Sequence, residues 1–388
     1  MFPKFLKKIP LAWLQLIKEK TRLVVAIAGI AFADMLILLQ LGFQDALYDG
    51  ATQTQRLLQA DLVLINPQFQ TLFSVQSFPR QRLYQALSAD GVASVSSIYI
   101  ASAQWKNPDT RQNRAILVWG VDPEAPSFAV PEIERNLPQI KQLNQVLFDR
   151  SSRPEYGAIA DTLQKQGTLE AEVNEQMIRV VGTFTIGASF AADGNIITSD
   201  STFLKLFPQR QPDKIEVGGI QLQPGTKPEL VKAQLIAILG NEVRIMTPEE
   251  FASVEKHYWE SQGAIGFIFG LGVTVGFIVG IVIVYQILYT DVANHLPEYA
   301  TLKAMGYDDR YLLGVLIQQS LLLAILGYIP GFLISVGLYQ LAYAAILMPI
   351  AMKFERAVFV LVLTFVMCSV SGAIAMQKLR SADPADVF

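Results

Sequence analysis

The residues suited to catalysis are few. The chain holds two histidines, His257 and His295, and one cysteine, Cys368. The sequence contains no G-x-S-x-G, H-E-x-x-H or C-x-x-C. Acyl transfer, zinc hydrolysis and dithiol exchange therefore have no local signature. A single cysteine rules out an internal disulfide framework and a cysteine-rich metal site. Cys368 lies inside an apolar run and reads as a small buried residue. Asp193, Ser199 and Asp200 cluster in AADGNIITSDS, where a capped turn is a simpler account than a hydrolase site. No catalytic residue and no metal ligand is assigned. The phosphate-cradling G-x-x-x-x-G-K-[ST] is also missing, so if the protein uses ATP, another subunit must bind it.

Other residues carry information through the environment they must occupy. Asp34 falls within an apolar run. A carboxylate there costs at least a few kcal/mol and faces protein or water. It is either an ion relay or a neutral acid making one interhelical hydrogen bond, and the lack of a second intramembrane charge favours the neutral acid. Gly272, Gly276 and Gly280 recur every fourth residue, which sets them in one row on a helix. Small residues let backbones approach in lipid, so the row is a packing seam against the first span or a second copy of the chain. Pro330 interrupts a long apolar run and predicts a kink, serving as a hinge or merely bending the helix.

The elements that position these residues are membrane spans. Of 388 residues, 52% are hydrophobic and 17% charged, with net charge −3. Mean hydropathy is +0.34. There is no basic surplus to suggest nucleic acid. Four stretches, residues 23–42, 263–289, 311–343 and 357–376, reach the roughly 20 residues needed to cross hydrocarbon. The first follows a basic segment, but its apolar core is too long for a signal peptide and it reads as a retained span. Lys4, Lys7, Lys8, Lys18, Lys20 and Arg22 precede it, which puts the N-terminus in the cytoplasm by the positive-inside rule. Four spans return the tail at 377–388 to the same side. Lys353 and Arg356, in the external loop 344–356, obey that rule imperfectly. The two histidines fall on opposite sides and cannot share a site.

Residues 43–262 then form a large extracytoplasmic domain. LVLINP, SVSSIYIASAQW, AILVWGVD, IRVVGTFTIG and NIITSD read as strands. FPRQRLYQALSADG and KPELVKAQLIAILG read as helices. The expected fold is a membrane protein with four transmembrane α-helices and an α+β domain between the first two. A Pro-rich, charged patch near 130–155 suggests a join between two subdomains. Residues 1–22, with Leu11, Trp13, Leu14 and Ile17 set apart from the lysines, predict an amphipathic helix on the inner membrane surface.

Between the second and third spans lies a polar island at 290–310, HLPEYATLKAMGYDDRYL at its centre. Pro297 suits a helix start, Glu298 its first turn and Gly306 its stop, while Asp308 can cap the helix that follows. Tyr299, Leu302 and Met305 share a face, with Lys303 off it. Such a helix either rests on lipid or docks a cytoplasmic partner.

At these residues the sequence resembles the permease subunits of MacB/FtsX-like ABC transporters. That family carries R-x-x-E-[IY]-x-x-L-[KR]-A-[ML]-G between its second and third spans. Glu298, Tyr299, Leu302, Lys303, Ala304, Met305 and Gly306 match position by position, and His295 replaces the usual arginine. LRSADPADVF is similar to the family's closing L-x-x-x-x-P-x-x-x-[LF]. The opening PLAWLQLIKEKTRLVVAIAGIAFADMLILLQLGFQDALYD, Asp34 included, is similar to the DevC-type permeases of cyanobacteria. The resemblance implies an inner-membrane exporter subunit that binds no cofactor itself, with ATP and magnesium used by a separate ABC ATPase. It implies a second copy of the chain, a periplasmic membrane-fusion protein and a TolC-like outer-membrane channel as partners, and glycolipid as cargo. Glu298, Tyr299, Leu302, Lys303, Met305 and Gly306 would then form the ATPase-coupling helix. The alternative is an FtsX-like regulator that activates an extracytoplasmic cell-wall hydrolase. A membrane-anchored sensor without an ATPase is a third, and it lacks the cytoplasmic signalling domain such a sensor needs.

Overall fold

The computed structural model describes residues 11–187, 193–261, 264–298, 301, 305–307, 309–346 and 350–380. Contacts divide the chain into two compact units. One comprises Met1–Asp45, Ala264–Ala345 and Ile350–Phe388, the other Ala46–Gly263 with Ile346–Pro349.

The first unit is helical. A short helix, α1 (Leu11–Lys18), precedes α2 (Lys20–Arg56). The later helices are α9 (Ala264–Asn294), α10 (Asp309–Ile346) and α11 (Phe354–Arg380). Among the described residues, four segments are long and apolar enough to cross a membrane: Lys20–Arg56, Ile265–Asn294, Leu313–Tyr343 and Phe354–Ala375. Each buries only part of its surface within the protein, as helices solvated by hydrocarbon do.

The first of these helices departs from the expected 23–42. The apolar run stops at Gly42, yet α2 continues to Arg56, burying Ala46, Tyr48, Ala51, Thr52, Thr54 and Gln55. Gly50 does not end it, because an interior glycine costs only about 1 kcal/mol against alanine. Pro330 lies inside α10 and likewise does not end it. Its ring removes one backbone donor, and the loss is confined to one turn.

The second unit is a mixed α/β domain. Its main sheet has nine strands in the order β11-β1-β10-β3-β4-β8-β5-β7-β6. In chain order these are β1 (Leu62–Ile65), β3 (Val92–Lys106), β4 (Asn113–Val121), β5 (Gln145–Asp149), β6 (Leu169–Val173), β7 (Gln176–Phe184), β8 (Asn195–Ser199), β10 (Val217–Leu222) and β11 (Arg244–Met246). A two-stranded ribbon, β2 (Phe78–Pro79) with β9 (Lys214–Ile215), stands apart. The β4–β8 and β5–β7 pairs are parallel, and the others are antiparallel. At its end β6 turns back to β3, with Trp105 opposite Val173 and Lys106 opposite Glu172. Six strands thereby close on themselves, and β10, β1 and β11 extend the sheet beyond the closure.

Side chains alternate across the sheet. Leu62, Leu64, Tyr99, Trp105, Ile116 and Val118 enter one core, with Leu83, Phe203 and Leu235 from the covering helices. Val63, Ile65, Ile98, Ile100, Leu117 and Trp119 enter the other, with Ile133 and Phe251. Both faces are covered, which is why β1 reads as a continuous apolar run.

The patch near 130–155 is no boundary in the sheet. It holds α4 (Pro131–Ile140), with Pro131 and Glu132 in the first turn, followed by β5, which pairs with both β7 and β8. Proline and acidic residues there are a helix start rather than a linker.

Candidate functional site

The segment after α9 is tied to the bundle at its base. His295 donates its backbone N–H to Asp291 O at 3.1 Å, and its ring Nδ1 lies 3.0 Å from the same oxygen. The ring also stands 3.5 Å from the Asp291 carboxylate, which accepts from Gln319 Nε2 at 3.2 Å. Asp291, His295 and Gln319 are all buried. Polar groups buried in this way need partners, and here they link the end of α9 to α10. His295 thus makes a polar contact of its own where the resembling family has arginine.

Beyond that base the chain turns outward. Pro297, Glu298 and Thr301 are exposed, and Met305 is 63% exposed. Thr301 Oγ1 donates to Pro297 O at 2.8 Å, and Met305 N donates to Thr301 O at 3.0 Å. Gly306 has φ +91°, the left-handed region that ends a helical turn and favours glycine. Glu298 lies 3.8 Å from Lys18 Nζ, an exposed pair of small energetic weight. Tyr307 and Tyr311 bring their rings to 4.8 Å, where α10 begins. Tyr299, Leu302, Lys303 and Asp308 lie outside the described residues, as do residues 1–10 and the tail 381–388. An exposed methionine at a turn, on a buried polar base, can dock into an apolar pocket of a partner.

The glycine row faces the first span. A Cβ on Gly272 would stand 2.7 Å from Gln40, and one on Gly276 would stand 2.9 Å from Ile37. At Gly280 it would meet Met367, with Ala33 Cβ at 3.2 Å. Ala33, Ile37 and Gln40 descend α2 as the glycines ascend α9, which is an antiparallel seam. A second seam was not read from the sequence. Gly327 would place a Cβ 2.5 Å from Ile30, and Gly331 would place one 2.8 Å from Ala31 O. These two glycines are also four apart, beside Pro330.

Asp34 is fully buried between these seams. Its Oδ1 accepts from Thr364 Oγ1 at 2.7 Å, a bond between α2 and α11. Oδ2 has no hydrogen-bond partner among the described residues.

Arg356, an apparent breach of the charge rule, is 6% exposed. It pairs with Asp45, and its Nη1 donates to Tyr339 OH and Ala351 O, each at 3.0 Å. Tyr339 OH in turn donates to Leu38 O. The group joins α2, α10 and α11. Sequence reading missed it because its members are far apart along the chain. A lone arginine beside an apolar run was the only signal.

In the α/β domain, Glu255 on α8 (Pro248–Ser261) is buried and accepts from Thr71 Oγ1 at 2.6 Å, Leu72 N at 2.8 Å and Trp259 Nε1 at 2.9 Å. Burial pushes its carboxyl above the usual range, against the lowering effect of those bonds. It holds the 66–75 loop, where Phe73 is 73% exposed, to α8. Trp259 is tied to Glu255 one turn before it on α8. Asp149 gathers Ser151 N, Ile186 N, Gly187 N and Asn195 Nδ2 in the same manner. Ser199 caps α6 (Asp200–Leu206) through Thr202 N, and Asp193 pairs with Arg114 and Arg153. Among the described residues, no cluster of three potential metal ligands occurs.

Residues 263–384 match the family model described as FtsX-like permease C-terminal. The match spans the last three membrane helices and the segment between the first two of them. An uncharacterized ABC transporter permease from Mycobacterium tuberculosis is 23% identical over 262 residues, covering 67% of this chain and 68% of its own. Another, from Mycobacterium bovis, is 22% identical over 376 residues, covering 95% and 96%. Among solved structures, the periplasmic region of MacB from Actinobacillus actinomycetemcomitans aligns with TM-score 0.36 and 13% identity, covering 51% of this chain and 92% of that region. The extracellular domain of the noncanonic ABC-type transporter YknZ from Gram-positive bacteria aligns with TM-score 0.32 and 12% identity, covering 48% and 99%.

Proposed function

We propose that this chain is the membrane subunit of an ATP-driven ABC transporter of the MacB/FtsX type, and that it passes the motion of a separate ATPase to its α/β domain. The observation that carries the reading is the segment after α9. It exposes Met305 and Glu298, rests on the Asp291–His295–Gln319 group, and lies within the residues that match the permease family. Glu298, Tyr299, Leu302, Lys303, Met305 and Gly306 would enter a groove of the ATPase, which uses ATP and magnesium. Two permeases and two ATPases would make the working unit. ATP-driven closure of the ATPases would draw the two segments together, and the glycine seams at Gly276 and Gly331 would carry that displacement between helices.

In this reading the protein lies in the inner membrane with both termini cytoplasmic and the α/β domain periplasmic. That domain would drive cargo, a glycolipid on the DevC resemblance, through a membrane-fusion protein into an outer-membrane channel. Cargo need not pass between the four spans. The test is co-purification of the tagged chain in mild detergent after crosslinking. Recovery of an ABC ATPase with a fusion protein supports export. An ATPase recovered with a cell-wall hydrolase or its activator moves the chain to the regulator class, and no ATPase at all removes the transporter reading.

A further inference from the structure

The stretch between Asp61 and Arg80 holds no charged residue, although 17% of the chain is charged. Its middle forms the loop after β1. Gln70, Phe73, Ser74 and Gln76 are exposed there, and Phe73 shows 73% of its surface. A lone exposed apolar side chain is ordinary. This one is informative because the chain beneath it is fixed. Asn66 Oδ1 accepts from Gln68 N at 2.9 Å, and Asn66 Nδ2 donates to Ser77 O at 2.8 Å, which closes the base of the loop. Thr71 Oγ1 accepts from Phe73 N at 3.3 Å, and Leu72 beside it is buried.

The loop runs along one face of α8. Phe251, Glu255 and Trp259 recur every fourth residue and share that face. Phe69 packs on Phe251 with ring centroids 4.9 Å apart, and Thr71 and Leu72 bond to Glu255. From 69 to 72 the loop therefore travels from 251 to 255, toward the end of α8 that leads to α9. Glu255 stands about 9 Å from that end, at 1.5 Å per residue. Chain connectivity alone sets the next step. Ser261 ends α8 and Ala264 begins α9, so the membrane helix starts at most about 11 Å further on. The charges nearest this end of α8 lie off the loop's face. Lys256 and Glu260 stand 3.7 Å apart, and Lys256 lies over the Tyr48 ring.

We infer that the Phe73 loop enters the surface of the lipid bilayer that α9 crosses, with the Phe73 ring among the acyl chains and Gln70, Ser74 and Gln76 at head-group level. Membrane interfaces take aromatic rings, and charge carried below the head groups is costly. Uncharged amides and hydroxyls around a single ring meet both conditions. The fixed loop presents the ring without an ordering cost at the moment of contact. With no charge of its own, the loop needs no anionic lipid. The inference rests on α9 as a membrane helix and is independent of any ATPase or cargo.

The test uses the full chain in phosphatidylcholine nanodiscs, with a nitroxide spin label at Ser74→Cys in a Cys368→Ala background. Relaxation by oxygen, which dissolves in lipid, is compared with relaxation by an aqueous nickel chelate. The same label at Leu143→Cys, an exposed position on α/β-domain residues far from this loop in the chain, marks water. One at Val275→Cys, exposed on α9, marks lipid and checks the membrane reading separately. The expected result is a label at 74 that follows Val275 and not Leu143. Phe73→Asp changes an exposed side chain and is expected to lower the oxygen-to-nickel ratio at 74 about tenfold, because a carboxylate replaces the ring. A label at 74 as open to nickel as Leu143, while Val275 reports lipid, overturns the inference. So does an unchanged ratio in Phe73→Asp. Shielding of the label from both reagents, with dipolar broadening between labels, overturns lipid as the occupant in favour of a second copy of the chain.

Discussion

Arg356 and Asp45 are 311 residues apart in the chain and meet as an ion pair in the helical unit. The guanidinium also holds Tyr339, so one side chain ties α2, α10 and α11. Asp45 is 40% exposed and also has Lys353 4.0 Å away, so its charge is not stranded when Arg356 is removed. Arg356→Ala instead loses the bonds to Tyr339 and Ala351 and should cost about 1–2 kcal/mol. Arg356→Lys should recover only part of that, since a point charge cannot serve Asp45, Tyr339 and Ala351 at once. Unfolding of the full chain in mixed detergent micelles measures both. Equal stability of Arg356→Ala and wild type would show the group to be ornamental.

The glycines separate cleanly by what surrounds them. Gly276→Ala places a methyl 2.9 Å from Ile37, so either α2 shifts or the seam opens. A loss of about 1–3 kcal/mol follows from such overpacking. Gly337 has open space where its Cβ would be. Gly337→Ala should be neutral or stabilise by up to about 1 kcal/mol through helix propensity. Thermal denaturation of the two variants side by side gives the comparison, and a matched response would contradict the seam.

Asp34 supplies an acceptor to Thr364, and the neutral-acid reading predicts that its charge is dispensable. Asp34→Asn can keep that bond, and its stability should lie within about 1 kcal/mol of wild type. Asp34→Ala removes the bond between α2 and α11, leaving Thr364 only its own-helix contact with Val360 O at 2.7 Å, and should lose more. If transport or ATPase stimulation collapses in Asp34→Asn while the fold holds, the residue titrates in function and the ion-relay reading returns.

Glu255 gives the α/β domain a pH dependence of definite sign. Its folded pKa is raised, so the folded state binds the proton more tightly than the unfolded state. The site's contribution to stability is then greatest below the unfolded pKa. It falls as pH rises through the window up to the folded pKa. Asp149 and Glu216 are raised by burial and act in the same direction. Glu255→Gln should flatten that slope in denaturant unfolding followed across the window. Glu255→Ala strands Thr71, Leu72 N and Trp259 and should cost about 3 kcal/mol. A steeper slope in the Gln variant would contradict the sign.

Hydropathy located the four membrane helices because twenty apolar residues in a row have few other uses. It did not locate the end of α2, since residues 43–56 continue the helix with a mixed surface. Strands such as NIITSD and LVLINP were legible from β-branched runs. β10, VGGIQL, was missed because its glycines weaken the strand pattern. They are needed where Gly218 faces Leu83 and Gly219 faces Ser96. The partners of Glu255, Asp291 and Arg356 were invisible for a different reason. Each has a partner 28 to 311 residues away, and local patterning holds no record of such pairs.

The central claim is that the exposed segment after α9 docks a separate ATPase. Met305→Glu tests it most directly, because the side chain is exposed and its replacement leaves the bundle intact. With the ATPase and the chain reconstituted together, the account predicts that Met305→Glu stays in the membrane, loses ATPase binding and no longer couples hydrolysis to export. Undiminished binding and coupling in that variant would contradict the account and leave the segment as a helix resting on lipid.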